Sequence, residues 1–303
     1  MPNYQNLDCR KAKLSPRFNN EFHNTSMKTI LITGSTDGIG KLAAIKLAKD
    51  GHQLLLHGRN SEKLQAIVAE INELPTAKNI HGFIADLSDF ASVQRMITEI
   101  SNVVLKIDVL INNAGVFNSN VPSNQNGLDL RFAVNYFAPY LLTRGVLPLL
   151  KKSNSPRLIN LSSAAQSPVS LTALMGGEIA SEQEAYAQSK LALTMWSFYL
   201  SQQFDFLNVI AVNPGSLLNT KMVQEAYGRF WSPADKGADI LYELAISEEF
   251  ENCSGKYFDN DRGVFANAHP DAYKQEKIDA LVSETNKIPV SYTHLTLPTI
   301  LLV

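Results

Sequence analysis

Thr29-Ile30-Leu31-Ile32-Thr33-Gly34-Ser35-Thr36-Asp37-Gly38-Ile39-Gly40 is the stretch whose reading decides the fold. Thr29 to Thr33 is a short, mostly β-branched run of the kind that forms a buried strand, and Gly34 breaks it. Leu42, Ile45 and Leu47 then share one helical face up to Asp50-Gly51. Strand, glycine-rich turn and helix in that order open a βαβ unit. Gly34 permits a tight turn, Gly38 lets the main chain approach a ligand, and Gly40 allows the helix to pack closely. The free N–H groups at the start of that helix would then face an anion such as a pyrophosphate.

The alternation continues outward from this unit. Gln53 to His57 reads as a second strand, followed by a helix over Ser61 to Glu73. Ile80 to Ala85 is a third, and Val93, Met96, Ile97 and Ile100 stripe the helix after it. Asp108 to Ile111 is a fourth, with one long helix over Leu128 to Leu150. Arg157 to Leu161 is a fifth, with a helix over Gln183 to Phe204. Asn208 to Val212 is a sixth, and Lys256 to Phe258 a seventh, placed at the sheet edge. Continuous apolar strands separated by helices predict a doubly wound parallel α/β sheet in three layers, α/β/α, forming a single domain. Ligands of such a sheet sit beyond the carboxyl ends of its strands.

Composition narrows the function classes. The chain has 303 residues, 45% hydrophobic and 18% charged, which excludes a disordered polymer, a coiled coil and a collagen-like fibre. With 27 Lys+Arg against 29 Asp+Glu there is no basic field to attract nucleic acid or anionic lipid. No apolar run approaches the roughly 20 residues needed to span a bilayer. Two cysteines, Cys9 and Cys253, are too few for a disulfide framework, so a cytoplasmic location is expected. The six histidines show no metal-ligand spacing, and no Gly-x-Ser-x-Gly elbow precedes a helix. No metal site is expected. The ends read differently from the rest. Residues 1–26 lack periodicity and stand either as a flexible arm or as sequence upstream of a start at Met27. The uncharged stretch 289–303 contains SYTHLTLPTI (291–300), which resembles a translated sequencing adaptor, and the domain is expected to occupy 27–288.

Three motifs carry a family resemblance. Gly34-x-x-x-Gly38-x-Gly40 follows the first strand, Asn112-Asn113-Ala114-Gly115 follows the fourth, and Tyr186-x-x-x-Lys190 lies on the helix after the fifth. In that order and on those elements they resemble the short-chain dehydrogenase/reductases, whose sheet is the Rossmann fold, from Met27 to about Gly263. The stretch Gln166 to Glu184, longer than in compact members, resembles that of the retinol-dehydrogenase-like branch. The resemblance implies a nicotinamide cofactor bound along Gly34, Ser35, Gly38, Ile39 and Gly40, with Asn113, Ala114 and Gly115 beside it and Asp86-Leu87 at the adenine. Asp86 reads equally as a cap for the helix that follows. An acidic residue ending the second strand would favour NAD, whereas His57-Gly58-Arg59-Asn60 offers none. Arg59 presents a planar donor fork suited to a 2′-phosphate, hence NADP(H), although alone it is also an ordinary surface arginine.

The resemblance also implies a catalytic tetrad of Asn135, Ser163, Tyr186 and Lys190. Tyr186 and Lys190 are four residues apart, so their Cβ atoms lie about 5–6 Å apart on one helix face. A neighbouring ammonium favours the phenolate, and a tyrosine otherwise titrates near 10, too high for a good base. Ser163 would hydrogen-bond the substrate oxygen, with Ser162 as the alternative. Pro139 has no N–H, so the carbonyl of Asn135 loses its ordinary helical partner and could hold a relay water; a purely structural kink is the other reading. Pro214-Gly215 matches the turn beside the nicotinamide, whereas Thr220 stands one residue late. Met222, Tyr227, Phe230 and Trp231 form either an apolar lid or ordinary packing. These features together predict an oxidoreductase that interconverts a carbonyl and an alcohol on an apolar small molecule. The alternative is a nucleotide-sensing regulator on the same fold. Homo-oligomers through the two long helices are a feature of the family, which the longer stretch before Tyr186 could obstruct.

Overall fold

A computed structural model describes residues 26–178 and 181–288. The expectations for the two ends, Ser26 apart, lie outside the described residues. Eight strands form one sheet: β1 (Thr29–Ile32), β2 (Gln53–Gly58), β3 (Lys78–Ile84), β4 (Val109–Asn112), β5 (Arg157–Leu161), β6 (Asn208–Asn213), β7 (Lys256–Asp259) and β8 (Val264–Ala266). Their spatial order is β3-β2-β1-β4-β5-β6-β7-β8, with β1 to β7 parallel and β8 antiparallel to β7. The order reverses between β1 and β4, which opens a crevice at the carboxyl ends of the strands.

Alternation along each strand builds two cores. Leu31, Leu55, Leu110, Leu158 and Val209 face one layer, made of α3 (Phe90–Val103), α4 (Leu130–Phe132), α5 (Ala138–Leu150), α6 (Leu171–Leu174), α7 (Glu182–Gln203) and α10 (Gln275–Thr285). Ile30, Ile32, Leu54, Leu56, Ile111, Ile159 and Val212 face the other, made of α1 (Gly38–Lys49), α2 (Ser61–Asn72) and α9 (Ala234–Ile246). Both faces are covered, which explains strands without polar alternation. The short helix α8 (Lys221–Tyr227) belongs to neither layer and buries none of its residues. Among the described residues no helix is long and apolar enough to cross a membrane.

Two expected elements differ. Lys256–Asp259 is not the edge, because the chain turns at Gly263 (φ +66°) and lays β8 beside it. The helix expected over Leu128 to Leu150 is interrupted: a π-helical turn over Ala133–Phe137 joins α4 to α5. The Ala138 N–H bonds the carbonyl of Ala133, one residue beyond the α-helical partner, immediately before Pro139, which has no N–H. The ladder thus absorbs the proline by an extra residue rather than by a break.

Buried polar contacts hold the site-bearing elements in place. Asn112 Nδ2 donates to Asn160 Oδ1 (2.8 Å) and Thr143 Oγ1 (3.2 Å), and Asn160 Nδ2 donates to Ser197 Oγ (2.9 Å). These bonds tie β4 and β5 to α5 and α7. The start of α7 is anchored by buried Arg131, which forks onto Asp129 and reaches Glu182 Oε1 at 2.7 Å. Such bidentate pairs are geometrically demanding and fix direction as well as position.

Candidate active site

The glycine turn between β1 and α1 is held from below. Asn113 Nδ2 donates to the carbonyls of Thr33 (2.8 Å) and Gly34 (3.0 Å), and Thr33 Oγ1 accepts the N–H groups of Asn113 and Ala114. Gly34 has φ +66°, and a Cβ there would lie 2.9 Å from Ala114 Cα. A Cβ at Gly40 would stand 2.3 Å from both Asn113 Nδ2 and the Gly34 carbonyl, so only glycine lets α1 begin this close to the sheet. The Asn113 side chain therefore shapes the cradle, and it is Ala114 and Gly115 that continue into the crevice.

His57, not singled out from the sequence, completes this cradle. Its Nδ1 accepts the Gly34 N–H (3.1 Å) and its Nε2 faces the Ala85 carbonyl (3.0 Å). That pairing requires a neutral ring protonated at Nε2, and burial lowers its pKa accordingly. Ser35 is fully buried and directs both its N–H and its hydroxyl to the His57 carbonyl. It thus supports the turn and presents no donor to a ligand. The Ile39 side chain packs toward α9 at Gly237, which leaves the N–H groups of Ile39 and Gly40 at the helix start. Gly38 has φ +53°, and its N–H is taken by Asp37, the N-cap of α1.

Farther along, Arg59 leaves β2 exposed, with no carboxylate partner among the described residues. Asp86 accepts from the N–H (2.9 Å) and hydroxyl (2.7 Å) of Ser88, whereas α3 is capped by Asp89. The alternative reading of Asp86 as the helix cap is thus not what the structure shows. Leu87 is buried in the core, so it offers the crevice only main chain.

The four expected catalytic positions converge. Ser163 follows β5, Tyr186 and Lys190 lie on α7, and Asn135 sits in the π-helical turn. Ser162 Oγ is engaged with Thr194 Oγ1 (2.7 Å) and the Lys190 carbonyl (3.2 Å), away from the crevice, so Ser163 is the serine that meets Tyr186. Lys190 Nζ donates to the Leu161 carbonyl (2.7 Å) and lies 5.5 Å from the centre of the Tyr186 ring. A Cβ at Gly115 would stand 3.2 Å from Asn135 Oδ1 and 3.5 Å from Lys190 Nζ, which brings the β4 loop into the same site. Asn135 acts as a bracket: it accepts the Val116 N–H (2.8 Å) and donates to the Val116 carbonyl and to Ser189 Oγ, both at 3.0 Å. Ser189 in turn donates to the Tyr186 carbonyl at 2.7 Å.

The electrostatics differ from the expectation that the ammonium would lower the phenol. Burial pushes Tyr186 up to about 12, opposed by its hydrogen bond with Ser163. Burial likewise brings Lys190 down to about 8. Desolvation favours the neutral form of each, and it dominates here. Tyr186 is consequently a protonated group at neutral pH, poised to donate.

The rim is built by β6, β7 and α8. Asn213 Oδ1 accepts the Gly215 N–H (3.2 Å), while its amide donates to Asp259 and Asp261; Asn260 Nδ2 holds the Pro214 carbonyl at 2.8 Å. Thr220 caps α8, and its methyl would lie 3.5 Å from a Cβ at Gly38, so it does border the cradle despite its shifted spacing. Phe117 stacks on Tyr186 (ring centres 4.8 Å apart), and Tyr227 of α8 stacks on Phe117 (5.5 Å). Phe230 is half-exposed and Trp231 largely exposed on the segment that follows α8. Phe117 stands two residues after the Asn112–Gly115 motif, and that adjacency is the signal its place in the sequence carries. Among the described residues no group of three or more His, Cys, Asp and Glu could hold a metal.

Residues 28–229 match the family model described as short chain dehydrogenase. Retinol dehydrogenase 13 of Mus musculus is 31% identical over 289 residues, covering 86% of this chain and 83% of that protein. Polyprenol dehydrogenase of Homo sapiens is 28% identical over 278 residues, covering 84% and 82%. A short chain dehydrogenase from Shigella flexneri 2a, solved in complex with NADP, superposes with a TM-score of 0.63 at 30% identity, covering 77% of this chain and 96% of that one.

Proposed function

This chain belongs to the short-chain dehydrogenase family, in its retinol-dehydrogenase-like branch, and from that premise we propose how its residues divide the work. It is an NADP(H)-dependent oxidoreductase that interconverts a carbonyl and an alcohol. The observation that carries the assignment of roles is the convergence of Ser163, Tyr186 and Lys190 beside the Gly115 loop. The cradle fits a dinucleotide: Gly40 lets α1 begin close against the glycine turn, Ile39 and Gly40 present N–H groups to a pyrophosphate, and Arg59 stands exposed for a 2′-phosphate. When bound, NADPH supplies the hydride. Ser163 donates a hydrogen bond to the substrate oxygen, and protonated Tyr186 transfers its proton there as the carbonyl carbon is reduced. Lys190 places positive charge beneath the developing tyrosinate, and the Asn135 carbonyl, whose ordinary helical donor would be the N–H that Pro139 lacks, holds the water that returns a proton. In the reverse direction the same groups act in reverse order.

The substrate of this proposal is an apolar carbonyl or alcohol, supported by Phe117, Tyr227, Phe230 and Trp231 around the mouth. Following NADPH consumption with a panel of apolar and charged aldehydes and ketones tests both parts. Turnover confined to small charged keto acids overturns the substrate class, and no turnover with any carbonyl favours the sensing role. Self-association is proposed to avoid the long helices. Tyr136 and Tyr140 bond Thr285 and Asn286 at the end of α10, and both tyrosines pack on Trp196 of α7, so the chain's own α10 covers that face.

A further inference from the structure

We propose that Tyr257 and Gln166 are positioning residues for Ser163, setting the direction of its hydroxyl by fixing the carbonyl of the same residue. The proposal rests on the reading of Ser163 as the group that binds the substrate oxygen. Strand β5 ends at Leu161, so the main chain of Ser163 has no ladder to hold it. Its carbonyl has two lone pairs, and both are occupied: Tyr257 Oη donates at 3.0 Å and Gln166 Nε2 at 2.8 Å. The Ser163 hydroxyl meanwhile accepts the Ala165 N–H at 3.1 Å and hydrogen-bonds Tyr186, which sets it on the crevice side.

Neither donor is incidental. Tyr257 belongs to β7, two strands away across β6, and is almost completely buried. Burial, with Asp259 and Asp261 nearby, pushes its pKa well up, so the phenol remains a donor throughout the working range. Gln166 is held at its other end, where Oε1 accepts the His269 N–H at 3.1 Å. The Ser163 peptide is thereby referred to both the far side of the sheet and the segment leading into α10. Catalysis is sensitive to such placement, since a displacement of about 1 Å can lower rate about a hundredfold.

The test combines Tyr257→Phe and Gln166→Met with Ser163→Ala in the full chain. Each single variant is expected to lower kcat for carbonyl reduction about five- to thirtyfold, with KM and NADPH affinity within about twofold of the parent. On the Ser163→Ala background neither is expected to lower kcat further, because the hydroxyl they aim is gone. An equal loss on both backgrounds, or unchanged kcat in both single variants, overturns the proposal. A loss of NADPH affinity or of Tm that parallels the loss of kcat assigns them a structural role and overturns it too. If Tyr257→Phe does not fold, Gln166→Met carries the same comparison. Parental turnover in Ser163→Ala alone would refute the reading beneath the proposal, a result that additivity cannot mimic.

Discussion

The floor and the rim of the crevice are built on opposite terms. On the floor, α7 buries Lys190, Ser189 and Thr194, and each of the three has a named partner: the Leu161 carbonyl, Asn135 and the Lys190 carbonyl. On the rim, α8 buries nothing, and Tyr227, Phe230 and Trp231 are among the most exposed large apolar groups described. The chemistry of proton transfer requires fixed atoms and low dielectric, and the floor supplies both. Choice among apolar substrates requires only contact area, which an adaptable rim supplies. Removal of a floor residue should therefore change rate, and removal of a rim residue should change affinity.

The strongest test of that division is Tyr186→Phe, which keeps the ring that stacks on Phe117 and removes only the hydroxyl. Turnover is expected to fall about a thousandfold while NADPH binding, read by fluorescence, is retained. Near-parental turnover would break the assignment of the floor. Arg59→Ala, at the far rim, is expected to weaken NADPH about ten- to a hundredfold and leave NADH almost unaffected. Equal weakening of both cofactors would remove Arg59 from the 2′-phosphate.

Lys190 sharpens the contrast through pH. Its folded pKa of about 8 lies below the ordinary 10.5, so below pH 8 the folded state carries a buried ammonium at full desolvation cost. Between 8 and 10.5 the folded state releases that proton while the unfolded state retains it, so this contribution to stability rises with pH. Lys190→Met should accordingly be more stable near neutrality by about 1–3 kcal/mol, an advantage that fades as pH passes from 8 to 10.5. A constant difference in chemical denaturation across that range would contradict it. In the parent, carbonyl reduction should weaken above pH 8 as the charge beneath Tyr186 is lost, and Lys190→Arg should move that fall upward. The smallest effect belongs to Tyr227→Ala, expected to raise KM for an apolar carbonyl about threefold with kcat and Tm hardly moved. A large fall in kcat would mean that the rim takes part in positioning Tyr186.

Much of this was legible along the chain because it is local. The glycine turn, Asn112–Gly115 and Tyr186–Lys190 are each contained in a few residues, and their order on alternating strands and helices reports the crevice they share. Ser35 shows the limit of such reading: it lies inside the motif, yet its donors face the His57 carbonyl because β2 passes directly behind the turn. Leu87 is similar, adjacent to the crevice by position and buried in the core by side chain. The edge assigned to Lys256–Phe258 failed because three residues, Val264–Ala266, suffice for an antiparallel β8 once Gly263 reverses the chain.

The sequence by itself determined the layers of this protein, the end of the sheet at which ligands bind and which tyrosine and lysine face them, since hydrophobic period and motif spacing are properties of neighbouring residues. Only the tertiary structure decided which serine faces Tyr186, that burial raises the pKa of that phenol, and that His57, Phe117, Gln166 and Tyr257 converge on the site. Those outcomes depend on desolvation and on contacts between segments as far apart as Ser163 and Tyr257. Such contacts are made by packing across the sheet and leave no mark on either segment alone.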